Sequence, residues 1–108
     1  PGKYVIEGVG KDSIPKLLDR NLIDSVIEIT DQEAIDMCHN LKSEEGLYLG
    51  GSSGLNVAAA IKYASKLSKD SKSTIVTIGC DSGEKYASKI YSDKWLNQNK
   101  FDRSISTK

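Results

Sequence analysis

The sequence predicts an α/β fold of three layers, a mainly parallel sheet with flanking helices. Three observations carry this. First, β-branched runs alternate with helical periodicity along the 108 residues, which is the pattern of strand–helix units. Second, Ser73-Thr74-Ile75-Val76-Thr77-Ile78 has the apolar character of a strand covered on both faces. Third, strand-like runs stop in glycine loops at residues 8–10, 50–54 and 80–83 before a helix begins. Open α/β sheets bind their ligands in such loops, at the carboxyl ends of the strands.

Taken in order, Tyr4-Val5-Ile6-Glu7 is β-branched and aromatic and halts at Gly8-Val9-Gly10, a strand running into a turn. A dinucleotide fingerprint needs a third glycine at position 13, which is Ser13, so a backbone passing close to something is the better reading. Ser13 can cap a short helix over residues 13–19, with Pro15 in its first turn and Leu17 and Leu18 on an apolar side. Residues 25–30 are β-branched and partly alternating, a strand or an extended edge.

Thr30-Asp31-Gln32-Glu33 is a capping box. It opens a helix to about Glu45, stopped by Gly46. Ala34, Cys38 and Leu41 share its apolar face, with Ile35 and Met37 at the margins. His39, the single histidine, falls nearer the opposite side and reads as a solvated helix residue. Residues 46–49 form a short apolar run into Gly50-Gly51-Ser52-Ser53-Gly54. After this loop comes a helix from about Leu55, whose buried stripe is Val57, Ala60, Ile61, Ala64 and Leu67. Lys62, Lys66 and Lys69 are its wet face.

The run at residues 73–80 is the strongest strand. It ends at Cys80-Asp81-Ser82-Gly83. A helix with Tyr86, Ala87, Ile90 and Tyr91 on one side follows, anchored at its end by Trp95 and Leu96. Residues 1–97 read as the body and residues 98–108 as a polar tail.

Composition limits the partners. Fifteen basic and fifteen acidic side chains balance, so nothing electrostatic calls for nucleic acid or an anionic membrane. No apolar run reaches membrane-spanning length, and Pro1-Gly2-Lys3-Tyr4 is not a signal peptide. Cys38 and Cys80 form neither a metal spacing nor a disulfide framework. Both read as small buried residues in a reduced, cytoplasmic setting. If the strands are parallel neighbours, the three glycine loops gather at one edge. That edge would be rich in hydroxyls and backbone N–H groups, without a metal cluster or an acid–base pair. Such a site suits a polar cofactor or a phosphate. The plainer reading is that these are ordinary turns using glycine and serine for local geometry.

The series Glu7-Gly8-Val9-Gly10, Leu18-Asp19-Arg20, Glu45-Gly46-Leu47, Gly50-Gly51-Ser52-Ser53-Gly54, Cys80-Asp81-Ser82-Gly83 with Tyr86, and Trp95-Leu96 resembles the C-terminal third of the cysteine synthase and cystathionine β-synthase family. These are fold-type II enzymes that use pyridoxal 5'-phosphate. The resemblance covers about residues 3–97. It implies the C-terminal portion of the large domain, the cofactor-supporting segment. It also implies that Ser52 meets the pyridine nitrogen with Gly51 beside it, that Asp81 and Ser82 back the ring, and that Gly8, Val9 and Gly10 line the substrate side. Lys11 stands where the animal β-synthases carry an aromatic residue.

The family's Schiff-base lysine, phosphate cradle and substrate-carboxylate loop precede this segment, so no catalytic residue is expected within it. The chain is then expected to need the N-terminal remainder of the same enzyme. The implied reaction makes L-cysteine from O-acetylserine, or a related activated serine, and sulfide. Serine plus homocysteine is the alternative. A homodimer and docking of serine acetyltransferase are the implied protein partners, and an amino acid is the substrate. From another class, a stand-alone α/β module binding a phosphate or nucleotide without catalysis also fits the loops.

Overall fold

The computed structural model describes residues 20–101. The expected strand at 4–7, the glycine turn at 8–10 and the helix at 13–19 lie outside them. A short 3-10 turn, Arg20–Leu22, leads into extended chain and then into α1, Asp31–Glu45. The capping box forms: Thr30 Oγ1 accepts the Glu33 N–H at 3.1 Å, and the Glu33 carboxylate accepts the Thr30 N–H at 3.2 Å. That Thr30 N–H, chiefly, holds the Glu33 carboxyl below its usual range. The helix closes on Gly46 at φ 69, whose N–H donates to the Leu41 carbonyl. Because the box satisfies two otherwise orphaned N–H groups, Thr30→Ala is expected to lower stability by about 1 kcal/mol, seen as an earlier midpoint in urea denaturation.

Next comes α2, Gly51–Ala64, N-capped by Gly50. The serines and glycines expected to form a loop are therefore its first turn. No proline or bulky residue opposes winding there. The Gly50 carbonyl already accepts from the Ser53 and Gly54 N–H groups at 3.1 and 3.2 Å, which starts the helix at once. A second correction concerns its buried face. Gly51, Ser53, Gly54 and Ala58 are inside. Of the expected stripe, Ile61 is 54% exposed, Ala64 is exposed, and Val57, Ala60 and Leu67 are only part-covered. Small residues won because α2 lies directly against α1. A Cβ on Gly54 would collide with the Ala34 carbonyl and with Cys38 Sγ. Periodicity located the stripe of larger residues on this helix, and close helix–helix approach selected a face of smaller ones.

The sheet is the largest difference. Among the described residues there is no strand. Residues 25–30, 46–49 and 73–80 run as extended or irregular chain, and Leu49 and Ser82 form one isolated antiparallel bridge. A strand exists only through the hydrogen bonds of a neighbour. β-branched residues without one leave extended chain, and Val76 and Ile78 are 86% and 68% exposed.

The last region is also re-divided. One continuous helix was expected. Instead a 3-10 turn, Gly83–Tyr86, is followed by turns and by the short α3, Asp93–Gln98. Two serines punctuate it. Ser82 Oγ caps the Glu84 N–H and Ser92 Oγ caps the Trp95 N–H, each at 3.3 Å, which restarts the helix twice. The core joins α1 to this region. Ile35, Cys38, Ile90 and Leu96 are buried together, with Tyr86, Tyr91, Trp95 and Phe101 packed around them. Trp95 and Phe101 stack at 5.9 Å.

His39 is buried rather than solvated. Its Nε2 lies 2.6 Å from the Ile90 carbonyl and its ring packs on Tyr91. The turn at 86–91 covers the side of α1 that periodicity left open. Cys38 is buried as expected, whereas Cys80 is exposed. No helix among the described residues is long and apolar enough to cross a membrane.

Candidate functional site

The glycine corner and the Asp81–Gly83 turn are held face to face by backbone. The Gly50 N–H donates to the Asp81 carbonyl at 3.0 Å, and the Gly83 N–H donates to the Tyr48 carbonyl at 2.9 Å. Only glycine fits at 50. A Cβ there would collide with Asp81 Oδ1 and lie 2.6 Å from the Tyr86 ring. Gly83 in turn lies against the ring of Tyr48. Gly51, Ser52, Asp81 and Ser82, far apart in sequence, are thus brought to one place. Gly8, Val9 and Gly10 lie outside the described residues.

The two serines of the corner do different work. Ser53 is fully buried and its Oγ accepts the Cys80 N–H at 2.8 Å. One turn on, Asn56 donates to the Ile78 carbonyl at 3.0 Å. Together these two side chains of α2 hold residues 78–80 in place. Ser52 is half-buried, and its hydroxyl has no hydrogen bond among the described residues. It lies in the first turn of α2, where the Gly51 and Ser52 N–H groups have no intrahelical carbonyl to meet and the helix carries partial positive charge.

Asp81 accepts the Tyr86 hydroxyl on Oδ2 at 2.8 Å. Its Oδ1 is buried and unpartnered among the described residues. Ser82 is spent on capping and on the bridge to Leu49, which makes it a support of the turn. The corner is also clamped from behind. The Tyr91 hydroxyl donates to the Leu49 carbonyl, and Cys38 Sγ donates to the Gly50 carbonyl at 3.4 Å. Burial pushes the Cys38 thiol up to about 11 and the Tyr91 hydroxyl up as well, so both remain neutral donors near neutrality.

Periodicity assigned Cys38 and Tyr91 to the core and said nothing of their polar bonds. The only trace in the sequence is that both are polar-tipped residues on apolar faces. Among the described residues no cluster of His, Cys, Asp or Glu could hold a metal ion.

Chemically, among the described residues the corner offers the Ser52 hydroxyl and unpaired N–H groups at a helix start, flanked by the unpartnered Oδ1 of Asp81. Such a hydroxyl is neutral and can donate or accept.

The sequence profile of the family described as pyridoxal-phosphate dependent enzyme matches residues 2–81. Among curated relatives, the chain is 42% identical over 98 residues to a cysteine synthase of Dictyostelium discoideum, covering 91% of this chain and 25% of the relative. It is 44% identical over 99 residues to cysteine synthase 1 of Neurospora crassa, covering 90% and 26%. It is 40% identical over 98 residues to cystathionine beta-synthase of Oryctolagus cuniculus, covering 91% and 17%. The chain therefore spans about a quarter or less of the length of these relatives.

Proposed function

Because this chain belongs to the pyridoxal-phosphate dependent enzyme family, we propose that it is the C-terminal, cofactor-supporting portion of a β-replacing enzyme. The reaction we assign is formation of L-cysteine from O-acetylserine, or a related activated serine, and sulfide. Its relatives include cysteine synthases and cystathionine beta-synthases, and the family implies an α/β fold. In this reading residues 73–80 become a strand of a mainly parallel sheet once neighbouring strands supply the ladder. That also accounts for the exposure of Ile75, Val76 and Ile78.

The observation that carries the reading is the division of labour between the two serines. Ser53 is consumed by the fold, and Ser52 is held beside it with a free hydroxyl. When bound, pyridoxal phosphate supplies an electron sink for elimination and addition at the β-carbon of an amino acid. Ser52 would hold the ring nitrogen through a neutral hydrogen bond, which moderates that sink and favours β-replacement over transamination. Gly50 and Gly51 let the backbone approach the ring, and Asp81 with Tyr86 keeps the facing turn in place. The residues present fit this half of a cofactor site. The lysine that binds the cofactor and moves the α-proton is assigned to the preceding part of the enzyme.

A second reading, serine plus homocysteine, is favoured by the rabbit relative. Assays of the full enzyme with O-acetylserine plus sulfide and with serine plus homocysteine separate the two. Cofactor-dependent cysteine formation is expected to be the faster. Ser52→Ala should slow it with the unfolding midpoint unchanged, whereas Ser53→Ala should cost about 1–3 kcal/mol of stability by stranding the Cys80 N–H. Absence of any cofactor-dependent β-replacement overturns the proposal.

A further inference from the structure

We propose that Tyr91 is a positioning residue for the cofactor ring: its hydroxyl fixes the Leu49–Gly50 corner and so sets where the first turn of α2 presents Ser52. The inference rests on the reading of Ser52 given above and extends it to a residue 39 positions further along the chain. Three backbone groups at the α2 N-cap have partners. Leu49 C=O is taken by Tyr91 Oη, Gly50 N–H by Asp81 C=O, and Gly50 C=O by Cys38 Sγ and the Ser53 and Gly54 N–H groups.

Of these, only the bonds from Tyr91 and Cys38 come from side chains. The Tyr91 ring is itself fixed. It meets the Tyr48 ring edge-on at 4.8 Å and the His39 ring at 5.6 Å, and the Lys42 ammonium sits over both tyrosine rings at 4.8 and 5.3 Å. A rigid aromatic donor therefore grips the carbonyl of Leu49, the residue before the N-cap. The next peptide groups begin the turn that carries Ser52. A tilt of the Leu49–Gly50 peptide rotates that turn, and a small displacement of a group that contacts the reacting system is costly in rate. In this proposal Tyr91 acts through the corner and not by touching cofactor or substrate.

The test uses the cofactor-loaded enzyme with O-acetylserine and sulfide, and compares Tyr91→Phe, Ser52→Ala and the double variant. Tyr91→Phe keeps the ring packing and removes only the hydroxyl. It is expected to shift the bound cofactor's absorbance and fluorescence, to lower kcat about fivefold to tenfold with KM little changed, and to speed amide hydrogen exchange over residues 50–54. The exchange measurement needs no activity. The double variant should be no slower than Ser52→Ala alone, because both losses act on one contact. A change away from the corner, Thr30→Ala, which removes the capping box of α1, should lower stability without moving the cofactor spectrum. If Tyr91→Phe fails to fold, Cys38→Ala cuts the neighbouring bond to Gly50 and carries the same expectations.

Multiplicative losses in the double variant, or an unmoved spectrum and exchange rate in Tyr91→Phe, overturn this inference and leave Ser52 in its role. A silent Ser52→Ala overturns the parent reading and this one together.

Discussion

Gly54→Val should destabilise this protein by about 3 kcal/mol. The expectation follows from the closest approach of the two long helices. A Cβ at residue 54 would collide with the Ala34 carbonyl and with Cys38 Sγ. Ala34 and Cys38 are both completely buried. A backbone carbonyl inside a helix cannot turn aside, so α1 and α2 must separate. Overpacking of this kind typically costs about 1–3 kcal/mol, and more when backbone must move. The gain in helix propensity over glycine recovers only about half a kcal/mol. Moving the helices apart also loosens Cys38 from the Gly50 carbonyl, so the corner loses its support at the same time. The check is urea denaturation of wild type, Gly54→Ala and Gly54→Val. The midpoint should fall in that order, and an unchanged midpoint for valine would sink the description of this contact.

Ser52→Asp should abolish most activity while leaving the fold intact. A carboxylate in the first turn of α2 is favourable for the helix, so the unfolding midpoint should hold or rise slightly. Beside a ring nitrogen the same carboxylate would keep that nitrogen protonated, where a hydroxyl does not. The rate of β-replacement is then expected to fall about 100-fold, the order seen when one preorganised polar contact at a reacting centre is replaced. The bound cofactor's absorption spectrum should shift in the same protein. An enzyme with unaltered spectrum and rate would remove Ser52 from the site. The contrast with Ser53 matters here. Two adjacent serines look alike in sequence, yet one is fully buried and bonded and the other is half-buried with no hydrogen bond among the described residues. Stability should track Ser53 and chemistry should track Ser52.

Several features were legible in the residues alone. The capping box at Thr30 and Glu33 and the stop at Gly46 are local signals. Each is satisfied by atoms within a few residues, so it survives whatever the rest of the chain does. The apolar periodicity of α1 found Ala34 and Cys38 for the same reason. The order and spacing of short motifs carried the family, and residues 2–81 bear it out.

Other features belonged to the tertiary structure. Which face of α2 is buried depends on how near α1 comes, and Gly54 and Ala58 allow an approach that Val57 and Ile61 do not. His39 is buried because the turn at 86–91 folds over it, a contact 51 residues away in sequence. Residues 73–80 have the composition of a strand, but a strand needs a partner's carbonyls and N–H groups, and composition does not supply them. The corner shows the division most plainly. The residues alone placed glycines and two serines in a loop between a strand-like run and a helix. Only the fold decided that Cys80 takes Ser53, that Tyr91 and Cys38 grip the carbonyls behind it, and that Ser52 is left free. Hydrogen-bond satisfaction is a property of all neighbours at once, and those neighbours come from 12 to 42 residues away.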